Sequence, residues 1–80
     1  MKLPRDITGQ ELIKSLKPLG YKVVRQVGSH IRLTTLQNGE HHITVPDHDP
    51  VRPGTLSGIL GDIADHFNKS KEEILYLLWG

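Results

Sequence analysis

Five histidines and no cysteine stand among eighty residues. Thiolate nucleophiles, thiolate metal sites and disulfides are therefore excluded, and proton transfer near neutral pH falls to imidazoles. One imidazole is placed unlike the others. In "VVRQVGSHIRLTT", His30 follows Gly28-Ser29, a pair suited to a two-residue hairpin turn with glycine first. It stands at the mouth of a strand, beside turn amides that can form an anion-binding nest. A group so placed can take or give a proton on a ligand outside the protein. Arg32 lies two residues on and shares its strand face, while a two-residue turn sets Arg25 opposite Arg32. Either guanidinium can stabilise negative charge developing on that ligand. The same position also suits an ordinary strand-end histidine with surface hydrogen bonds, and the residues alone leave both readings open.

The remaining histidines read differently. His41 and His42 are adjacent in a strand-like run, so their side chains point to opposite faces and cannot both join one site. His42, Asp47, His48 and Asp49 offer hard ligands around the "DHD" tripeptide. The chain lacks the paired helical ligands of common zinc sites, so no metal is expected. His66, between Asp65 and Phe67, reads as a structural residue, and Tyr21, Phe67 and Trp79 read as packing groups.

The elements that must position these residues follow from periodicity. Thr8-x-x-Glu11 is a capping-box signature. Leu12, Ile13, Leu16 and Leu19 follow at helical spacing and predict a helix near 9–19, with Pro18 tightening or ending its last turn and Gly20 as the left-handed stop. "YKVVRQV", "HIRLTTLQ" and "EHHITV" are rich in β-branched residues and predict three strands in an antiparallel meander. Asn38-Gly39 marks the second hairpin. A two-residue turn at Gly28-Ser29 pairs Val24 with Leu33. A two-residue turn at Asn38-Gly39 would then send Ile43 and Val45 to the wrong face, since a slip of one residue reverses every side chain. A bulge or a longer loop is therefore expected in the second hairpin. After the proline-rich loop "PDHDPVRPG", Leu56, Ile59, Leu60, Ile63, Ala64 and Phe67 form an amphipathic stripe. Gly58 and Gly61 inside that helix suggest close backbone packing or a close partner. Ser70-x-x-Glu73 is a second capping box, opening a short last helix with Ile74, Leu75, Leu77 and Leu78.

The expected class is thus α+β, in the order α-β-β-β-α with a short extra C-terminal helix. Helices should cover one face of a three-stranded antiparallel sheet and leave the other partly open. Residues 1–80 are expected to form one domain, with a thin core for so short a chain. No apolar run approaches a membrane span and no signal-like segment follows Met1-Lys2, so a cytoplasmic protein is expected. Net charge is only +1, but its distribution is uneven. From Lys14 to Arg32 the chain carries Lys14, Lys17, Lys22, Arg25 and Arg32 and no acid. A basic half on a near-neutral protein suits a local nucleic-acid contact, as it also suits a solvated face.

Three stretches together carry a resemblance. "LPRDITGQELIKSLKPLGYKVVRQVGSHIRL", "ITVPDH" and "PGTLSGIL" occur in the order and approximate spacing of the HicA toxins, also called the YcfA-like family. The chain departs from that pattern in a slightly long hairpin between His30 and Val45 and in a lower basic charge. The resemblance implies a double-stranded-RNA-binding-like fold and an mRNA interferase, an endoribonuclease toxin that needs no ribosome. It implies one catalytic histidine on the sheet, which maps to His30, and no metal or other cofactor. It also implies a HicB-type antitoxin that covers the site and, in complex, represses transcription of the pair. The free toxin is expected as a monomer, hetero-oligomeric with its antitoxin. Residues expected on the RNA path are Lys22, Arg25, Ser29, Arg32 and His48. The competing expectation is a module of the same fold that binds RNA or antitoxin without cleaving.

Overall fold

Thr8 starts the first helix by reciprocal capping. Its hydroxyl accepts from the Glu11 amide at 3.1 Å, and the Glu11 carboxylate accepts from the Thr8 amide at 2.9 Å. In the computed structural model of the chain, which describes residues 2–80, α1 spans Gly9–Ser15 and a 3-10 turn follows at Lys17–Leu19. The helix expected to 19 is therefore two pieces. Pro18 has no amide to donate and its ring crowds the carbonyl four residues back, so the α-helical ladder stops before it. Gly20 then takes φ +82°, and a Cβ there would lie 2.7 Å from Thr35 Oγ1, so only glycine fits.

β1 (Lys22–Val27), β2 (His30–Thr35) and β3 (His41–Pro46) form one antiparallel sheet in chain order. In β2–β3, Ile31 faces Val45 and Leu33 faces Ile43. All four side chains are buried. This is the register the hydrophobic pattern required, and a longer connection at 36–40 supplies it. Within that connection Asn38 and Gly39 both adopt positive φ, at +58° and +95°. The first hairpin differs from expectation. A bulge between Val23 and Arg25 sets Val23, not Val24, opposite Leu33. Every residue of β1 is exposed. An edge strand with neither face buried has no hydrophobic pattern to fix its register, and edges are where bulges collect.

α2 (Pro53–His66) and α3 (Lys71–Trp79) complete the order α-β-β-β-α-α, an α+β arrangement around one open sheet. α1 and α2 pack on β3, and α3 packs on α2. The core joins Leu12 of α1 and its C-cap Leu16 to Ile31, Leu33, Ile43 and Val45 of the sheet. Leu56, Leu60 and Ile63 of α2 and Ile74 and Leu75 of α3 close it. The stripes read from spacing bury as predicted, except that Leu77 is exposed and Ile59, Phe67 and Leu78 are only partly buried. Thr35, the buried polar residue, donates to Leu19 O at 2.6 Å and accepts from the Gln37 amide at 3.1 Å, which locks the end of β2 to the turn after α1. The helix glycines do not mark close packing within the chain. A Cβ on Gly58 would meet nothing within 4 Å, and one on Gly61 only the Lys71 stem at 3.7 Å. Ser70 repeats the capping box with Glu73. Trp79 packs as expected and donates its indole N–H to Ser15 Oγ at 3.1 Å.

Candidate active site

β2 alternates between the two faces of the sheet. Ile31, Leu33 and Thr35 point into the core, while His30 and Arg32 are exposed and Thr34 is half-buried on the open face. Pairing extends this face into three rows. Val27 and Pro46 flank His30; Arg25 and Thr44 flank Arg32; Lys22 and His42 flank Thr34. Successive rows are about 7 Å apart along the strand. Arg25, Arg32 and Lys22 thus form a basic strip leading away from His30. None of the three has an ion-pair partner among the described residues, whose ion pairs are His41–Asp62 and His42–Glu40.

The His30 side chain makes no hydrogen bond among the described residues. It lines a cleft of about 420 Å³ with Thr44, Pro46, His48, Arg52 and Thr55. The loop after β3 is held firmly beside it. The Asp47 amide donates to Ser29 O at 2.6 Å, and the Gly9 amide donates to His48 O at 2.9 Å. A Cβ on Gly9 would meet the Pro46 carbonyl and Asp47 Cα, so glycine is required for α1 to approach this loop so closely. Gln10 adds a side-chain bond from Nε2 to Asp47 Oδ1 at 3.3 Å.

The start of α2 forms the remaining wall. Arg52 occupies its N-cap position, Pro53 follows at once, and no acidic residue stands in its first turn. α1 and α3 satisfy their first amides with a hydroxyl and a carboxylate each. α2 has no side-chain cap, so its partial positive charge and the Arg52 guanidinium both bear on the cleft. The cleft is chemically an acceptor of anions with two imidazoles in reach.

The sequence-predicted residues therefore separate. His30 and His48 line the same cleft, with Ser29 half-buried in the turn beside them. Arg32 and Arg25 occupy the adjacent row. Lys22 stands two rows away, about 13 Å along the strand, at a second cleft with Gly20, Val24, Thr34, Leu36 and Gln37. Arg52 and Thr55 were not singled out from the sequence. The signal was present in "VRPGT", where a cation stands at an N-cap, proline follows, and no acid occupies the first turn.

The other histidines are engaged. Tyr21 is buried, and its hydroxyl donates to His41 Nδ1 at 2.8 Å; His41 Nε2 donates to Asp62 Oδ1 at 3.3 Å. The His41 ring stacks on His66 with centroids 4.4 Å apart, and His66 Nε2 donates to Gln37 O at 2.8 Å. Burial, with a smaller contribution from the Asp62 charge, pushes the Tyr21 phenol above its usual range. On the open face, His42 bonds Thr34 Oγ1 through Nδ1 at 2.7 Å and Glu40 Oε2 through Nε2 at 2.8 Å. Among the described residues, no group of three histidine or acidic side chains is arranged to hold a metal ion.

These features define a small α+β protein with helices on one face of its sheet and a basic, histidine-bearing open face on the other. The family model described as "HicA toxin of bacterial toxin-antitoxin" matches residues 9–64, a span that takes in α1, the whole sheet and most of α2. The chain belongs to the HicA toxin family. No significant similarity links it to a curated protein or to a solved structure.

Proposed function

We propose that this chain is an endoribonuclease toxin that cleaves mRNA on the open face of its sheet, with His30 as a catalytic residue. The observation that carries the reading is an exposed imidazole without an internal partner, beside unpaired arginines. RNA supplies its own nucleophile, the 2′-hydroxyl next to each phosphate. His30 takes the 2′-hydroxyl proton, the 2′-oxygen attacks phosphorus, and the bond to the 5′-oxygen breaks. The products are a 2′,3′-cyclic phosphate and a 5′-hydroxyl, with no oxidant or reductant involved. Arg32, with Arg25 opposite it, stabilises the charge that builds on the phosphoryl oxygens. Lys22 guides the strand farther out, and Ser29 and His48 border the reacting nucleotide. The one-sided helices and open basic sheet suit a double-stranded-RNA-binding-like fold, on which unpaired nucleotides can be splayed over the sheet.

The family supplies the rest of this reading. A toxin of this class works against a cognate antitoxin, here of HicB type, which must cover the His30 face to silence it. The site of action is the cytoplasm, where mRNA is found. No helix among the described residues is long and apolar enough to cross a membrane.

The test is incubation of purified protein with RNA, beside His30→Ala. The substitution removes an exposed side chain that holds nothing, so the melting temperature should not move. Cleavage should fall about 10²–10⁴-fold, the usual loss when a proton-transfer group is removed. Intact RNA with the parent protein, or undiminished cleavage by the variant, would overturn the proposal. Intact RNA accompanied by tight, salt-sensitive binding would identify a non-catalytic RNA-binding module instead.

A further inference from the structure

Transesterification needs two proton transfers, and His30 accounts for one. The leaving 5′-oxygen must also be protonated. Arg25, Arg32 and Arg52 cannot do this, because a guanidinium does not release its proton in a protein. Thr44, Thr55 and Pro46 have no proton to exchange near neutral pH. Among the residues that line the His30 cleft, one titratable group remains, the imidazole of His48.

The backbone fixes the two imidazoles relative to each other. Pro46 pairs directly with His30. The Asp47 amide bonds the carbonyl of Ser29, the residue before His30, and the His48 carbonyl is held by Gly9. The segment carrying His48 is thus fastened on one side to the turn that presents His30 and on the other to α1. The His48 side chain makes no hydrogen bond among the described residues and is exposed. Fixed backbone and free ring are what a proton donor to an external atom requires.

Resting on the nuclease reading above, we propose that His48 is a second catalytic residue, the general acid that protonates the 5′-oxygen while His30 acts as base. The imidazolium of His48 gives its proton to O5′ as the P–O5′ bond breaks, and His30 leaves the step carrying the 2′-hydroxyl proton. Water then exchanges the two protons before the next turnover. The charged and titratable groups around His48 are His30 of β2, Arg52 at the start of α2, and its neighbours Asp47 and Asp49.

The experiment compares the parent protein with His48→Ala, His48→Gln and His30→Ala on two substrates. One is an RNA oligonucleotide containing the mapped cleavage site. The other carries a 5′-bridging sulfur at the scissile link, a leaving group that departs as thiolate without a proton. The His48 variants should lose about 10²–10⁴-fold on RNA but less than about tenfold on the sulfur substrate. His30→Ala should lose heavily on both. The parent should show a bell-shaped pH profile, since the base must be neutral and the acid charged. The His48 variants should keep its acid limb and lose the alkaline decline. His48 variants within about threefold of the parent on RNA, or equally impaired on both substrates, would overturn the assignment. Equal impairment would mean that His48 only helps to hold the strand. If the parent leaves RNA intact, or His30→Ala still cleaves, the nuclease reading itself fails, and this one with it.

Discussion

Two pairs of histidines divide the molecule between them. His41 and His66 lie where the sheet meets α2, stacked on each other. Their hydrogen-bond partners are Tyr21, Asp62 and Gln37, each bonded through a defined ring nitrogen. His30 and His48 line a cleft on the open side, and their rings bond to nothing among the described residues. The residue type is the same and the difference is whether the protein uses the ring nitrogens itself. A ring used by the protein ties elements together: His41 has neither nitrogen left for an outside ligand, and His66 is held through Nε2. An unsatisfied one contributes little to stability and keeps both nitrogens for proton transfer. The contrast predicts a clean division of phenotypes. The largest effect belongs to the free pair, where His30→Ala should cost about 3–5 kcal/mol of transition-state stabilisation, read from cleavage rates, and less than about 0.5 kcal/mol of stability, read from denaturant melts.

The engaged pair should behave in the opposite way. Tyr21→Phe keeps the buried ring and removes the hydroxyl that bonds His41 Nδ1, leaving that nitrogen without its donor. A loss of about 1–3 kcal/mol of stability is expected, with cleavage by the folded fraction unchanged. The pH dependence follows from the raised phenol. Folded Tyr21 holds its proton more tightly than the unfolded chain does, so its contribution is complete below about pH 10 and is lost as pH rises beyond that. The parent protein should therefore lose stability above about pH 10, and Tyr21→Phe should flatten that alkaline limb. Melting curves across that range decide the point. A variant as alkali-sensitive as the parent would mean that another group carries the effect.

The same contrast explains what could be read from the sequence. The exposed position of His30 at the mouth of β2 was legible because its signal is local, a glycine-first turn followed at once by a strand. The β2–β3 register was legible because Ile31, Leu33, Ile43 and Val45 must share a buried face, which leaves one acceptable alignment. The α2 stripe was legible for the same reason, and both capping boxes because their partners stand three residues apart. β1 was legible as a strand, but its bulge was not, because Val23, Val24 and Val27 are more than half exposed and no burial pattern marks the shift between Val23 and Arg25. Gly58 misled because a glycine facing open space leaves the same trace in a sequence as one pressed against a neighbour. Arg52 was missed because its role depends on the loop 46–52 folding back beside β2, a contact made by backbone bonds that leave little trace in side-chain pattern beyond Gly9.

The basic strip can be tested by salt. Arg25 and Arg32 pair across β1 and β2 with no ion-pair partner among the described residues. Each phosphate contact on single-stranded RNA contributes about 0.7 to the slope of log affinity against log salt. Arg25→Ala and Arg32→Ala should each lower the slope by about that amount, while Lys69→Ala, beyond the far end of α2, should leave it unchanged. Filter binding of the His30→Ala protein, which keeps RNA intact, measures the slope without cleavage. Equal slopes for all three variants would place the RNA elsewhere.

The smallest effect is the most discriminating, because it runs in two directions at once. Arg52 sits at the N-cap of α2 with an extended backbone, φ −64° and ψ 143°, and makes no cap bond. A serine in that conformation can accept from the unsatisfied amides of the first turn, as Thr8 and Ser70 do for α1 and α3. Arg52→Ser should therefore stabilise the protein by about 0.5–1 kcal/mol, a rise of several degrees in melting temperature for a chain of this length. It should also remove a cation from the cleft and lower the RNA salt slope by about 0.7. A helix start that gains stability while losing ligand would show that its missing cap serves the cleft. A variant that gains stability and binds RNA as before would show that Arg52 is merely a poor cap and takes no part in binding. A variant that loses binding with no gain in stability would show that solvent already satisfies those amides, and that Arg52 acts through its charge alone.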